Sequence, residues 1–172
     1  MKKTFLALAV AAVAAVCFTA CPGPQEKTTA DYLSAPKNGW VLESALCSPA
    51  YEMLSGELIG DLVNGYLYDF EKDDIISFTA DGVQTIKPGN LLPAEDQDGY
   101  TQDVAYLWRI DEQNDGWIFM QVPFFYDEVQ EYVHILTLDE NQFKFLCTFN
   151  DDEQGAKGTY TLTMNYVPAK QF

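Results

Sequence analysis

Two stretches near the end of the chain, QFKFLCTFN (142–150) and GTYTLTMNYV (158–167), alternate from residue to residue. Phe143, Phe145, Cys147 and Phe149 fall on one side; Lys144, Leu146 and Thr148 fall on the other. Tyr160, Leu162, Met164 and Tyr166 likewise oppose Thr159, Thr161, Thr163 and Asn165. A period of two sends successive side chains to opposite faces, so these are strands with one dry and one wet face. Six further runs of strand-forming residues precede them: GWVLESALC (39–47), IISFT (75–79), VQTIK (83–87), DVAYLWRI (103–110), GWIFMQV (116–122) and QEYVHILTL (130–138). Ala80-Asp81-Gly82 between two of them is a strong hairpin signal. No connection holds a crossover helix long enough for a parallel unit. Eight antiparallel strands in a meander are the number that closes into a small up-and-down barrel, and closure removes exposed edges. A two-sheet β-sandwich is the alternative. One helical insertion is expected after the first strand. Ser48-Pro49 reads as an N-cap with Pro at the first helical position, and Tyr51, Leu54, Leu58 and Leu62 follow at spacings of three and four.

Connection lengths orient the barrel. The second, fourth and sixth connections are short: ADG, DEQND and DEN. The first, third, fifth and seventh are long: 48–74, 88–102, 123–129 and 151–157. In a meander, odd and even connections lie at opposite ends, so all four long ones share one end. Loops held by a rigid scaffold are where binding concentrates.

The chain begins Met1-Lys2-Lys3 and runs without a charge from Thr4 to Ala20. That stretch is short for a bilayer span, which needs about 20 residues, and has the form of a secretory signal over residues 1–20. Phe18-Thr19-Ala20-Cys21 resembles the lipobox of bacterial lipoproteins, which implies acylation of Cys21 and loss of Cys17 with the leader. Residues 21–37, rich in Pro, Lys, Thr and Gln, read as a flexible tether, and 38–172 as the barrel domain. Removal of the leader, with Lys2 and Lys3, leaves eight basic residues against 26 acidic ones, a formal charge of −18. Such a surface repels nucleic acid and anionic head groups, so membrane attachment is expected through the lipid alone. The expected location is the cell envelope, lipid-anchored at the outer membrane.

With a lipobox, GWVLES opening the first strand, a helical insertion, EKDDIISFTADGV as first hairpin and a closing LTLDENQFKF…TYTLTMNYV, the chain resembles the lipocalin-like lipoproteins common in Bacteroidetes. The resemblance covers nearly all of residues 38–167. It implies an eight-stranded barrel and usually no assigned activity. True lipocalins place one residue between Gly and Trp in the first strand; here Gly39 and Trp40 are adjacent. Their late Arg, packed on that Trp, has no match, because the single arginine is Arg109. Trp40 is nonetheless expected to plug the closed end.

Little chemistry survives inspection. DEQNDG (111–116) has Gln113 and Val122 where a calcium loop needs acidic ligands. DQDG (96–99) would need Ala94 and Ala105 as ligands. Zinc needs several His or Cys ligands, and there is one histidine, His134, set mid-strand as a wall residue. No acid falls on a clearly dry face, so a carboxylate pair for glycoside cleavage is not seen. No catalytic residue and no cofactor is therefore assigned. Cys47 and Cys147 flank the last strand in a closed barrel, roughly 10 Å apart at two strand spacings. A disulfide needs Cα atoms about 4.4–6.8 Å apart, so it forms only if the chain at Cys47 has left the sheet; buried free thiols are the alternative. The aromatics carry most of the functional expectation. Tyr106, Phe119, Tyr132, Phe149 and Tyr160 would line the loop-rich half of the barrel, with Phe124 and Phe125 in one of the loops. They form either a pocket for a small apolar or amphipathic ligand or simply the filling of a packed barrel. In the second case Phe124 and Phe125 would be a contact patch of a noncatalytic interaction module.

Overall fold

Trp108 is the point at which the barrel closes. A computed structural model describes residues 26–123, 130–151 and 158–170. In chain order these residues form β1 (Trp40–Glu52), β2 (Leu58–Asp61), β3 (Ile75–Phe78), β4 (Val83–Lys87), β5 (Val104–Leu107), β6 (Arg109–Ile110), β7 (Trp117–Gln121), β8 (Gln130–Leu138), β9 (Phe143–Asp151) and β10 (Gly158–Pro168). Three short helices accompany them: α1 (Thr29–Leu33), α2 (Leu62–Gly65) and α3 (Asp69–Lys72). The antiparallel sheet follows the path β5-β4-β3-β1-β10-β9-β8-β7-β6, with β2 added to β1. Its two ends, β5 and β6, are one wall strand hinged at Trp108. β5 pairs with β4 (Val83↔Leu107) and β6 pairs with β7 (Arg109↔Phe119). The result is a nearly closed antiparallel barrel with eight strand positions in its wall; the alternative of two stacked sheets does not form.

The hinge is held from both sides. Trp108 is buried, its backbone N–H donates to the Gly82 carbonyl (2.9 Å), and its indole Nε1 donates to the Thr79 carbonyl (3.1 Å). Beyond the hinge β5 leaves β7, and the side chain of Gln84 fills the missing ladder. Its Nε2 donates to the Gln121 carbonyl (2.8 Å), and its Oε1 accepts from the Gln121 N–H (2.9 Å). Gln84 and Gln121 are both fully buried, so this amide replaces a strand residue where buried backbone groups would otherwise lack partners.

The interior is apolar. Trp40, Ile76, Ile86, Ile118, Met120, Val133, Phe143, Phe145, Leu162, Met164 and Tyr166 are buried and belong to one cluster. Trp40 plugs the short-turn end, as expected, packing on Phe143 with ring centroids 5.9 Å apart. Its Nε1 donates to the Leu33 carbonyl (2.8 Å). That bond corrects the extent of the tether, since residues 28–37 are part of the fold. Thr28 and Asp31 form a capping box at the start of α1, and Leu33 is buried beneath the barrel. Polar composition concealed a cap and one apolar anchor. Lys27 adds an ion pair with Glu140 in the β8–β9 turn.

The helical insertion is also corrected. β1 continues through Glu52, with a cis Ser48–Pro49 peptide, and folds back at Gly56 (φ +81°) into β2, where Tyr51 faces Ile59. Leu54 and Leu58, half of the supposed helical stripe, are 81% and 66% exposed and bury nothing. Helix appears only later, as the single turns α2 and α3.

Candidate functional site

The aromatic set chosen from the sequence divides between the two faces of the wall. Phe149 and Tyr160 face inward at the loop-rich end, stacked at 5.3 Å. Tyr51 joins them at 5.3 Å from Tyr160, and its hydroxyl donates to Asp151 (2.7 Å). Tyr106 also faces inward, paired with Gln84 and packed against the core. Tyr100, from the third connection, is buried within reach of Tyr106 and Gln121, and burial foremost pushes its hydroxyl pKa up. Phe119 and Tyr132, in contrast, lie on the outer face. They pair across β7 and β8 while their neighbours Ile118, Met120 and Val133 take the inside. The Arg109 guanidinium sits 4.4 Å from the Phe119 ring and donates to the Tyr132 hydroxyl (3.1 Å). Tyr132 is 43% exposed. A bulge between Ile135 and Thr137 reverses the alternation of β8, so counting back from Leu138 puts Tyr132 on the wrong side. His134 is a wall residue stacked on Trp117 at 5.0 Å. Phe124, Phe125 and Cys21 lie outside the described residues.

Cys47 and Cys147 are free and buried. Each faces Leu162, from opposite sides of β10, so two strand spacings separate them. Burial raises both thiol pKa values, that of Cys147 to about 12, with a further push from the Glu131 carboxylate. Glu131 pairs with Met120 on the inner face, which corrects the expectation that no acid looks inward. The β8–β9 ladder ends at His134↔Leu146 although β8 extends back to Gln130 and β9 on to Asp151. The wall therefore parts between these strands near Glu131, Cys147 and Phe149.

A groove of 480 Å³ lies on the outer wall where the first and third long connections meet the sheet. Such a volume is in the range of small-molecule sites, about 300–1,000 Å³. Its floor is one row of residues in register across four strands: Val167 on β10, Val41 on β1, Ile75 on β3 and Lys87 on β4. Pro88, Pro168 and Leu42 extend the apolar lining. Two consecutive carboxylates hold the far wall. Asp73 Oδ2 accepts from the N–H groups of Asn90 (2.7 Å) and Leu91 (3.2 Å), and Asp74 Oδ1 accepts from Gly89 (3.3 Å). A Cβ at residue 89 would collide with the Asp73 carboxylate, so Gly89 permits this close approach. Asp74 is 7% exposed, and burial pushes its pKa up to about 7; the neighbouring charges of Asp73 and Glu71 add to the rise. No sequence signal marked this acid as buried, because it precedes β3 in a run of charged residues.

Among the described residues no three His, Cys, Asp or Glu side chains converge to hold a metal ion. Asp111 instead fastens its own turn, accepting from Gln113 N–H (2.9 Å) and Asn114 Nδ2 (2.7 Å). Among the same residues no helix is long and apolar enough to cross a membrane. Comparison of the chain with family models, curated proteins and solved structures gives no match.

Proposed function

We propose that this protein is a lipid-anchored, noncatalytic component of the cell envelope that binds a small apolar or amphipathic ligand in a groove on the outer wall of its barrel. The observation that carries the reading is the groove: a ligand-sized apolar surface at the roots of two long connections, built on strands rather than on loops alone. Its floor of Val41, Ile75 and Val167 spends apolar side chains on the outside of a barrel, where water would favour polar ones. The lipocalin-like resemblance and the Cys21 lipobox support the envelope and anchor parts of this reading. α1 and Lys27 sit against the short-turn end, so an acyl chain at Cys21 leaves the long connections facing away from the membrane.

Native mass spectrometry of the protein purified from its own host tests the reading. A small organic molecule is expected on the chain, extractable with solvent and lost in Val167→Glu. A bare chain refutes ligand binding. The anchor has its own test: Cys21→Ser should release the protein from membranes without detergent. A second reading, an interaction module, draws on the outer face of β5–β8, where Leu107, Tyr132 and Leu136 are exposed and Arg109 donates to the Tyr132 hydroxyl. A protein partner in the same spectra, in place of a small molecule, favours it.

A further inference from the structure

The groove contains four charged side chains, and they are not equally available. Glu43 accepts a hydrogen bond from Asn165 Nδ2 (2.6 Å), and Asp73 is occupied by the backbone of Asn90 and Leu91. Both carboxylates are therefore turned to structural use. The lysines are not. Lys170 is exposed and has no ion pair among the described residues. Among the same residues Lys87 pairs with Asp103 alone, at 3.7 Å, with both side chains more than half exposed. An exposed pair of this kind is worth about 0–1 kcal/mol and yields readily to a better partner. The Val167–Val41–Ile75–Lys87 row, three strand spacings or roughly 14 Å long, ends at Lys87 and starts three residues before Lys170, and it is a track for an extended alkyl chain.

We propose that the groove takes a single-chain amphiphile with an anionic head, the head meeting Lys87 at one end of the row and the chain running across Ile75, Val41 and Val167 towards Lys170. This inference rests on the groove being the ligand site and adds the class of ligand. In a chain that is acidic overall, two under-used lysines beside an apolar track are a local exception to the surface charge. The apolar row contributes in proportion to the area it covers, and Lys87 discriminates between head groups.

Photo-labelling of the full chain with a diazirine-bearing dodecanoate, and with its neutral methyl ester, separates the two claims. Labelled peptides are mapped by mass spectrometry. The acid is expected to label peptides containing residues 41–43 and 167–170. The ester should label them about tenfold less, the equivalent of one charge-assisted hydrogen bond. The double variant Lys87→Gln/Lys170→Gln should reduce acid labelling to the level of the ester while unfolding at the temperature of the parent. Equal labelling by acid and ester, or acid labelling unchanged in the double variant, overturns the anionic head and leaves the groove as a ligand site. Absence of label from both groove peptides with either probe overturns the two readings together.

Discussion

Replacing Asp74 by Asn should stabilise the protein, and by an amount that grows with pH. Burial raises the Asp74 pKa from 3.8 to about 7. The folded protein therefore retains a proton that the unfolded chain gives up between those values. Below pH 4 both states are protonated and the group is neutral to stability. As pH rises through 4–7, the unfolded state binds fewer protons than the folded one, and stability falls by about 1.4 kcal/mol per pH unit. The loss levels off above pH 7 at about 4 kcal/mol. Asparagine cannot ionise, and its Oδ1 can still accept from the Gly89 N–H, so the wall of the groove remains fastened. Urea unfolding of both proteins at pH 5, 6, 7 and 8 gives the difference directly, because the two chains share every other carboxylate. The variant should lead by about 1–2 kcal/mol at pH 5 and about 4 kcal/mol at pH 8. For a domain of this size the larger figure is roughly 8–16 °C in Tm. A gap that stays constant across this range would refute the reasoning, since only a group titrating differently in the two states produces the slope.

Three further expectations follow from the barrel itself. Gln84→Leu preserves volume but strands the N–H and C=O of Gln121 in a fully buried seam; at about 1–3 kcal/mol for each unsatisfied group, chemical denaturation should show a loss near 3 kcal/mol. Trp40→Phe removes the bond to the Leu33 carbonyl and leaves a void at the plugged end; a cost of about 2–3 kcal/mol is expected, with hydrogen exchange of residues 29–33 accelerating most. Alkylation at pH 8, mapped by peptide, should find native Cys147 about three orders of magnitude slower than an ordinary thiol, and both Cys47 and Cys147 fully reactive once the chain is unfolded; a recovered disulfide-linked peptide would contradict the two-strand separation.

The barrel wall was legible because its signals are local. Alternation in β9 and β10, Asp81-Gly82 between β3 and β4, and three short polar turns sufficed to specify eight strand positions and their order. Facing was legible only where one side of a strand is polar. β7 is apolar on both faces, so nothing local told Phe119 from Met120, and the outer position of Phe119 depends on Arg109, distant in sequence, lying over its ring. In β8 a bulge defeats simple counting, which hid both the outward turn of Tyr132 and the inward turn of Glu131. The groove was illegible for a different reason. Val41, Ile75 and Val167 are each unremarkable outer-face residues, and they become a surface only through register across β10, β1 and β3. The burial of Asp74 likewise comes from packing between two loops, which composition does not report.

The first and last strands of the wall share a ladder from Trp40↔Pro168 to Ser48↔Thr161. A ribosome making this chain therefore delivers β1 more than a hundred residues before its permanent neighbour. Until the final segment emerges, both β1 and β9 present an unpaired edge, and the cylinder cannot seal. Pairings this remote in sequence are slow to form, because the loop must be closed before any contact rewards it. Removing only β10 should thus unravel the whole wall rather than shorten it, and any helper acting during maturation would find its opportunity in that interval.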